Sequence, residues 1–253
     1  MARLALVVIT LNEEKNIGRC LDSVSGLADE LIVVDSGSDD RTTDIARQWG
    51  AKIIFHPFEN HINQKNFALS QATADWILSL DADEALSPDL KKSIENIFQN
   101  PRFSGYTMNR MTNYCGRWIR HSGWYPDRKL RLVKKDSAHW IGLNPHDRLV
   151  LNEPAPTGHL AGHILHYSYY SLQDHLDQMS RFTRIAAQEL FKQGIKPNLY
   201  HFTLKPAFKF FRHYVLKLGF LDGYEGFQIA RLSACGQFLK YARLRELHKN
   251  SRA

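Results

Sequence analysis

Three carboxylates, Asp81, Asp83 and Glu84, follow directly on an apolar run in WILSLDADEALSPDL, residues 76–90. Side chains at i and i+2 of an extended segment point the same way, so Asp81 and Asp83 present two carboxylates to one side. Such a pair is repulsive unless a cation offsets it. Two hard oxygen donors, completed by water and phosphate oxygens, suit Mg2+ or Mn2+, which prefer octahedral oxygen coordination. A lone D-x-D equally describes a solvated acidic turn. Here two more polar sets end apolar runs: Thr10, Asn12 and Glu13 at and just past the end of LALVVIT, and Asp35, Ser36 and Asp39 at and just past the end of ELIVVD. Together they favour the metal reading.

Those sets need a scaffold that gathers strand ends. LALVVIT (4–10) is continuous and β-branched, as in a strand buried on both faces. Ile17, Cys20, Leu21, Val24 and Leu27 then recur at helical spacing, which makes Cys20 a core thiol. ELIVVD (30–35) is a second strand, followed by a helix ending near Gly50. AKIIFH (51–56) is a third, INQKNFALSQAT (62–73) a helix and DWILSLD (75–81) a fourth strand. Ser87 caps another helix, with Pro88 at its first position. Alternating β and α elements specify a parallel sheet covered by helices. Its strand C-termini lie along one edge, where ligands bind in such sheets.

Beyond residue 101 the pattern changes. GYTMNRMTNYCGRWI and DRKLRLVKK read as antiparallel strands rich in aromatic and basic residues. Residues 171–194 read as an amphipathic helix, and the tail from Pro197 as two helices separated by GFLDGYEGF (219–227). Charge is divided likewise. Residues 1–100 hold 9 Lys/Arg against 16 Asp/Glu, while residues 101–150 hold 10 against 3. A basic surface attracts nucleic acid, anionic membrane or a phosphorylated substrate. No nucleic-acid motif appears, and that class leaves the acidic strand ends unexplained. Cys20, Cys115 and Cys235 are widely spaced and form no CxxC, which fits a reducing compartment. The N-terminus reads as a first strand rather than a signal peptide. No apolar run approaches the roughly 20 residues of a spanning helix, so the expectation is a soluble or peripheral protein.

VVITLNEEKNIGRCLDSV, LIVVDSGSDDRTTDIA and WILSLDADE together resemble the nucleotide-sugar motifs of the family 2 glycosyltransferases, the inverting GT-A group. GWYPDRKLRLVKK, NPHDRLVL, HYSYYSLQDHL and GFLDGYEGF are similar to its lipopolysaccharide core branch, which includes enzymes transferring β-glucose from UDP-glucose to an inner-core heptose. The resemblance implies a Rossmann-like, mostly parallel sheet flanked by helices, with a basic α-helical C-terminal extension. The corresponding division is a catalytic domain over 1–170, with a nucleotide-sugar half (1–100) and an acceptor half (101–170), and a helical region over 171–253.

The resemblance also implies roles. Thr10, Asn12 and Glu13 line the nucleoside pocket, and Asp35 accepts from uracil or ribose, with Ser36 in the turn. Gln64, Lys65 and Asn66 lie where relatives contact base or phosphate. Asp81 faces the ribose or metal-bound waters, and Asp83 binds a Mg2+ or Mn2+ ion on the diphosphate. Inverting transfer needs a general base for the acceptor hydroxyl. Asp147 is the first choice, with His146 and Glu84 as alternatives. Trp124, Lys129, Arg131 and His146 are the acceptor-contact candidates, although an ordinary strand would turn Leu130 and Leu132 inward and its basic residues outward. His159, His163 and His166 make only a weak metal pattern, without a supporting carboxylate. In the tail, residues 197–253 hold 10 Lys/Arg against 3 Asp/Glu, interleaved with aromatics. Such a stretch suits an anionic membrane interface or, equally, a helix packed on the domain. The partners expected are a UDP-sugar and a lipid-linked glycan at the inner face of the cytoplasmic membrane, with no nucleic acid. A polyprenyl-phosphate sugar synthase is the nearest alternative.

Overall fold

The structure is a computed structural model that describes residues 2–143 and 146–251, without the side chains of Leu143 and His146. Its described residues form two compact units. The first comprises Met1–Met111 and Asp127–Tyr167, the second Thr112–Pro126 and Ser168–Ala253.

A mixed sheet organises the first unit. Strands β1 (Leu4–Thr10), β2 (Glu30–Asp35), β3 (Lys52–Phe55) and β4 (Trp76–Asp81) are parallel, in the order β3-β2-β1-β4. The apolar runs fix this arrangement. Leu4, Leu6 and Val8 face one core with Leu78 and Leu80, while Ala5 and Val7 face another with Val34 and Ile77. Helices α1 (Ile17–Ser23), α2 (Thr42–Gln48) and α3 (His61–Ser70) connect the strands, as the alternation predicts. Helix α4 (Pro88–Ile97) starts at Ser87, whose hydroxyl accepts from the Leu90 N–H at 3.2 Å.

Beyond β4 the sheet turns antiparallel through β8 (Asp127–Lys134) and β6 (Gly105–Tyr114), with which the two-residue β7 (Arg117–Trp118) pairs, then β11 (Gly158–Tyr169) and the short β5 (Glu84–Leu86). Strands β9 (Ala138–Leu143) and β10 (His146–Leu151) form a separate hairpin. One irregularity matters for the site. Along β6 and β8, Tyr106 pairs with Leu132 but Thr107 with Leu130, so Arg131 is a bulge residue without a partner opposite. A bulge adds one residue to one strand and re-aims its side chain. The strict alternation that turns Arg131 outward therefore fails, and Arg131 is buried at 3% exposure beside Leu132 and Val133.

In the second unit, α5 (Leu172–Lys192) packs against α8 (Gly223–Asn250). Ser171 begins α5 with a capping box, its side chain accepting from the Asp174 N–H. Helix α8 starts earlier than its glycines suggest. GYEGF, read from sequence as a separator, is its first turn. Gly226 explains the start, because a Cβ there would stand 1.9 Å from the Gly219 carbonyl oxygen. Between these helices lie α6 (Leu199–Phe202) and α7 (Leu204–Phe211). Among the described residues no helix is long and apolar enough to cross a membrane.

Candidate active site

Parallel register brings the polar sets together. Thr10 stands opposite Asp35, and Ile9 opposite Asp81, at the ends of three adjacent strands. The turn after β2 is tied to the turn after β1. The Asp35 carboxylate accepts from the Thr10 hydroxyl at 3.0 Å, the Ser38 hydroxyl at 2.5 Å, and the Gly37 and Ser38 N–H groups at 2.9 Å each. Burial works to raise the Asp35 carboxyl, but these donors prevail and lower it. Asn12, at φ 57°, donates its N–H to the Ser38 hydroxyl and accepts from the Asp39 N–H. Asp35 and Asn12 thus tie the two turns together, and with four donors on Asp35 its oxygens are already engaged. Ser36 is held by the amide of buried Gln64 at 3.0 Å. Glu13 donates its N–H to the Thr42 hydroxyl and accepts from Asn16. Burial raises its carboxyl, Asn16 opposes the rise, and the fields of Asp83, Asp40 and Asp81 add to it.

Lys65 is the centre of the arrangement. Helix α3 delivers it to the same edge, where only 7% of the residue is exposed. Its Nζ lies 2.8 Å from Asp81 Oδ1 and 2.7 Å from Asp147 Oδ2, and 4.2 Å from the centroid of the Trp140 ring. Arg131 reaches the other Asp81 oxygen at 2.9 Å and Glu84 at 2.9 Å. Burial raises the Asp81 carboxyl, yet Lys65 and Arg131 outweigh it and hold it well below the usual carboxylate range. Burial likewise works against the Arg131 charge, which Glu84 and Asp81 sustain.

Glu84 is not available as a base. Its side chain is fully buried, paired with Arg110 at 3.2 Å as well as Arg131, and it accepts the Asp81 N–H at 3.0 Å. It anchors the D-x-D turn from beneath. Asn66 also departs from expectation. Its amide bonds the Trp140 backbone in both directions, donating at 3.0 Å and accepting at 2.8 Å, so it straps α3 to β9 instead of facing a ligand.

Asp83 meets a residue that sequence reasoning set aside. Antiparallel pairing of β5 with β11 places His166 opposite Glu84, and His166 Nε2 lies 3.2 Å from Asp83 Oδ2. Burial raises the Asp83 carboxyl, but His166 reverses the shift and lowers it. A carboxylate and an imidazole side by side fit a divalent cation, with carboxylate oxygens matched to Mg2+ or Mn2+ and imidazole nitrogen to transition metals. Asp81 fits less well as a direct ligand, because Lys65 and Arg131 take one oxygen each. Among the described residues no three His, Cys, Asp or Glu side chains converge as a metal site. Two protein donors would leave the rest of an octahedral shell to ligand oxygens and water. The supporting carboxylate absent from the histidine pattern is Asp83, which is 83 positions away in sequence and invisible to local spacing.

A cavity of about 510 Å3 opens beside this network, lined by Lys65, Asp81, Arg131, Trp140 and Asp147 among others. Lys129 lines it too, held 3.0 Å from Asp127. Trp124 belongs to the second unit, where its ring stacks on Tyr169 at 5.6 Å and meets Tyr114 edge-on at 5.7 Å. That packing engages the ring within the second unit, away from the acceptor-contact role expected from sequence. His146 as an acceptor contact lies outside the described residues, since its side chain is not described.

A family model described as Glycosyl transferase family 2 matches residues 5–176. The chain is 33% identical over 262 residues to an uncharacterized glycosyltransferase of Rickettsia typhi, covering 100% of this chain and 90% of the relative. It is 25% identical over 256 residues to the lipopolysaccharide core biosynthesis glycosyltransferase LpsC of Rhizobium meliloti, covering 97% and 93%. Among solved structures it is similar to glucosyl-3-phosphoglycerate synthase from Mycobacterium tuberculosis in complex with Mn2+, UDP and glucosyl-3-phosphoglycerate. That likeness has 24% identity and a TM-score of 0.37, and covers 44% of each chain.

Proposed function

This chain belongs to glycosyl transferase family 2, and from that premise we propose that it is an inverting hexosyltransferase. It moves glucose from UDP-glucose to an inner-core heptose of lipopolysaccharide, at the cytoplasmic face of the membrane. The observation that carries the reading is the Lys65 bridge, which holds Asp81 of the D-x-D and Asp147 within 2.8 Å of one ammonium. An inverting displacement needs those two functions adjacent: charge control at the leaving diphosphate and a base at the incoming hydroxyl. Similarity to the core-biosynthesis enzyme LpsC supports the choice of acceptor.

In this reading Thr10, Asn12, Glu13 and Ser36 line the nucleoside pocket, whose wall Asp35 keeps in shape. Asp83 and His166 would hold a Mg2+ or Mn2+ ion, which would supply charge neutralisation at the diphosphate. Lys65 takes Oδ2 of Asp147 and leaves Oδ1 to receive the proton of the acceptor hydroxyl. Lys65 is then the positioning residue that spaces base from donor, while Glu84 and Arg131 fix Asp81 from below.

The second unit supplies the membrane surface. Leu204, Phe208 and Phe211 recur at i, i+4 and i+7 of α7 and are 64%, 60% and 47% exposed. Lys205, Lys209 and Arg212 follow each by one position. An apolar row flanked by cations suits an anionic headgroup layer better than water.

A thermal-shift panel of nucleotide sugars, with and without Mn2+, tests the donor assignment. UDP-glucose at 100 times its Kd stabilises the protein by about 2.7 kcal/mol, which is roughly 5–11 °C for a chain of this size. Failure of every UDP-sugar to shift the melt would overturn it.

A further inference from the structure

Six cations line the cavity beside Asp147: Lys65, Arg110, Arg128, Lys129, Arg131 and Arg148. Two carboxylates, Asp81 and Asp147, line it with them. Two more stand against the wall, Glu84 paired with Arg110 and Arg131, and Asp127 paired with Arg110 and Lys129. Even with all four carboxylates counted, the six cations leave an excess of two positive charges. Arg128 and Arg148 are exposed and, among the described residues, take part in no ion pair. The charge is held in place. Arg131 is a buried bulge residue, and the Lys65 and Arg131 cations both lie over the Trp140 ring.

A concave wall of one sign concentrates ligands of the other. The magnitude narrows the ligand: a carboxylate brings one negative charge, whereas a phosphate monoester brings between about 1.5 and 2, which matches the excess. Position narrows it further. Thr10, Asp35, Asp83 and His166 are absent from the cavity lining, which shares only Lys65 and Asp81 with the nucleotide side and includes the candidate base. We propose that this cavity is the acceptor subsite and that its acceptor carries a phosphoryl group near the reacting hydroxyl. Arg128 and Arg148 bind that group, and Lys129 supports them. The inference rests on the reading of Asp147 as base.

The test is calorimetric titration of the full chain with a hexose 6-phosphate, before and after saturation with UDP and Mn2+, with the unphosphorylated hexose as control. The expected result is one phosphate-dependent site that persists when UDP is bound. The double variant R128Q/R148Q weakens it roughly tenfold, as loss of two exposed charge contacts predicts, and leaves UDP affinity and the melting temperature unchanged. Competition between UDP and the hexose phosphate would assign the excess charge to the donor diphosphate and overturn the proposal. Binding indifferent to R128Q/R148Q would overturn it as well. Absence of hexose-phosphate binding with UDP binding intact would remove the phosphorylated acceptor while leaving the transferase reading in place. Absence of UDP binding would instead strike at that reading.

Discussion

Replacement of Glu84 by Gln separates a buried anchor from a catalytic base. The substitution keeps the side-chain shape and an acceptor for the Asp81 N–H, and removes one negative charge. In the native protein that charge is shared by Arg131 at 2.9 Å and Arg110 at 3.2 Å, with the Glu84 side chain fully buried. Arg110 retains Asp127, but Arg131, at 3% exposure, is left with Asp81 alone. Breaking a buried pair from one side costs about 3–5 kcal/mol, mostly the desolvation of the charge left behind. Each kcal/mol lowers the melting temperature of a chain this size by about 2–4 °C. The expected loss is therefore about 6–20 °C in a thermal melt, with the same energy in urea unfolding. Sugar transfer, measured below the melt, persists at a reduced rate because Asp81 loses part of its support. A stability loss under about 1 kcal/mol would refute the anchor. Undiminished stability with abolished transfer would go further and make Glu84 the base.

Other consequences can be measured in parallel. Asp147→Asn lowers turnover at least about 100-fold, the usual worth of a general base, and leaves the calorimetric affinity for UDP nearly intact; near-normal turnover would sink Asp147 as the base. Phe208→Ser with Phe211→Ser weakens binding to anionic vesicles by roughly 100-fold or more, since each buried phenyl ring contributes about 1.5–3 kcal/mol; a wild-type chain that ignores such vesicles at low salt would refute the membrane surface. His175 is buried with its Nδ1 3.0 Å from the Tyr114 hydroxyl, and burial pushes its pKa down to about 4. A folded value below the unfolded one, roughly 6.5, favours the neutral ring. Its contribution is fully present above the unfolded value and is lost as pH falls toward the folded one, amounting to about 3 kcal/mol. His175→Phe flattens that slope in urea unfolding between pH 7 and pH 4, and an unchanged slope would refute the assignment.

Much of the scaffold is legible in the chain because each element carries its own period. Continuous apolar runs, β-branched in β1 and β2, fix β1, β2 and β4 as strands buried on both faces, and Ser87 marks a helix start through a hydroxyl that accepts an N–H group. Strand ends then identify Thr10, Asp35, Asp81 and Asp83 as an edge set, because parallel strands bring their C-termini together. Local signals also misled in places. Alternation puts Arg131 outward, and a bulge opposite Tyr106 and Thr107 turns it in. Glycines at 223 and 226 read as a break, yet helix α8 runs through them because Gly226 meets the Gly219 carbonyl.

The sequence by itself determined the element order, the acidic edge and the basic remainder, since these depend on residue type and spacing within one element. Tertiary structure alone decided which charges meet. Lys65 reaches Asp147 across 82 positions, Arg131 reaches Asp81 across 50, and His166 finds Asp83 through the register of β5 on β11. Pairings of that range are set by sheet order, bulge position and strap residues such as Asn66, whose effects appear only once separate elements are packed. The repulsion expected among Asp81, Asp83 and Glu84 is resolved the same way: three different strands and a helix bring each carboxylate its own cation or imidazole.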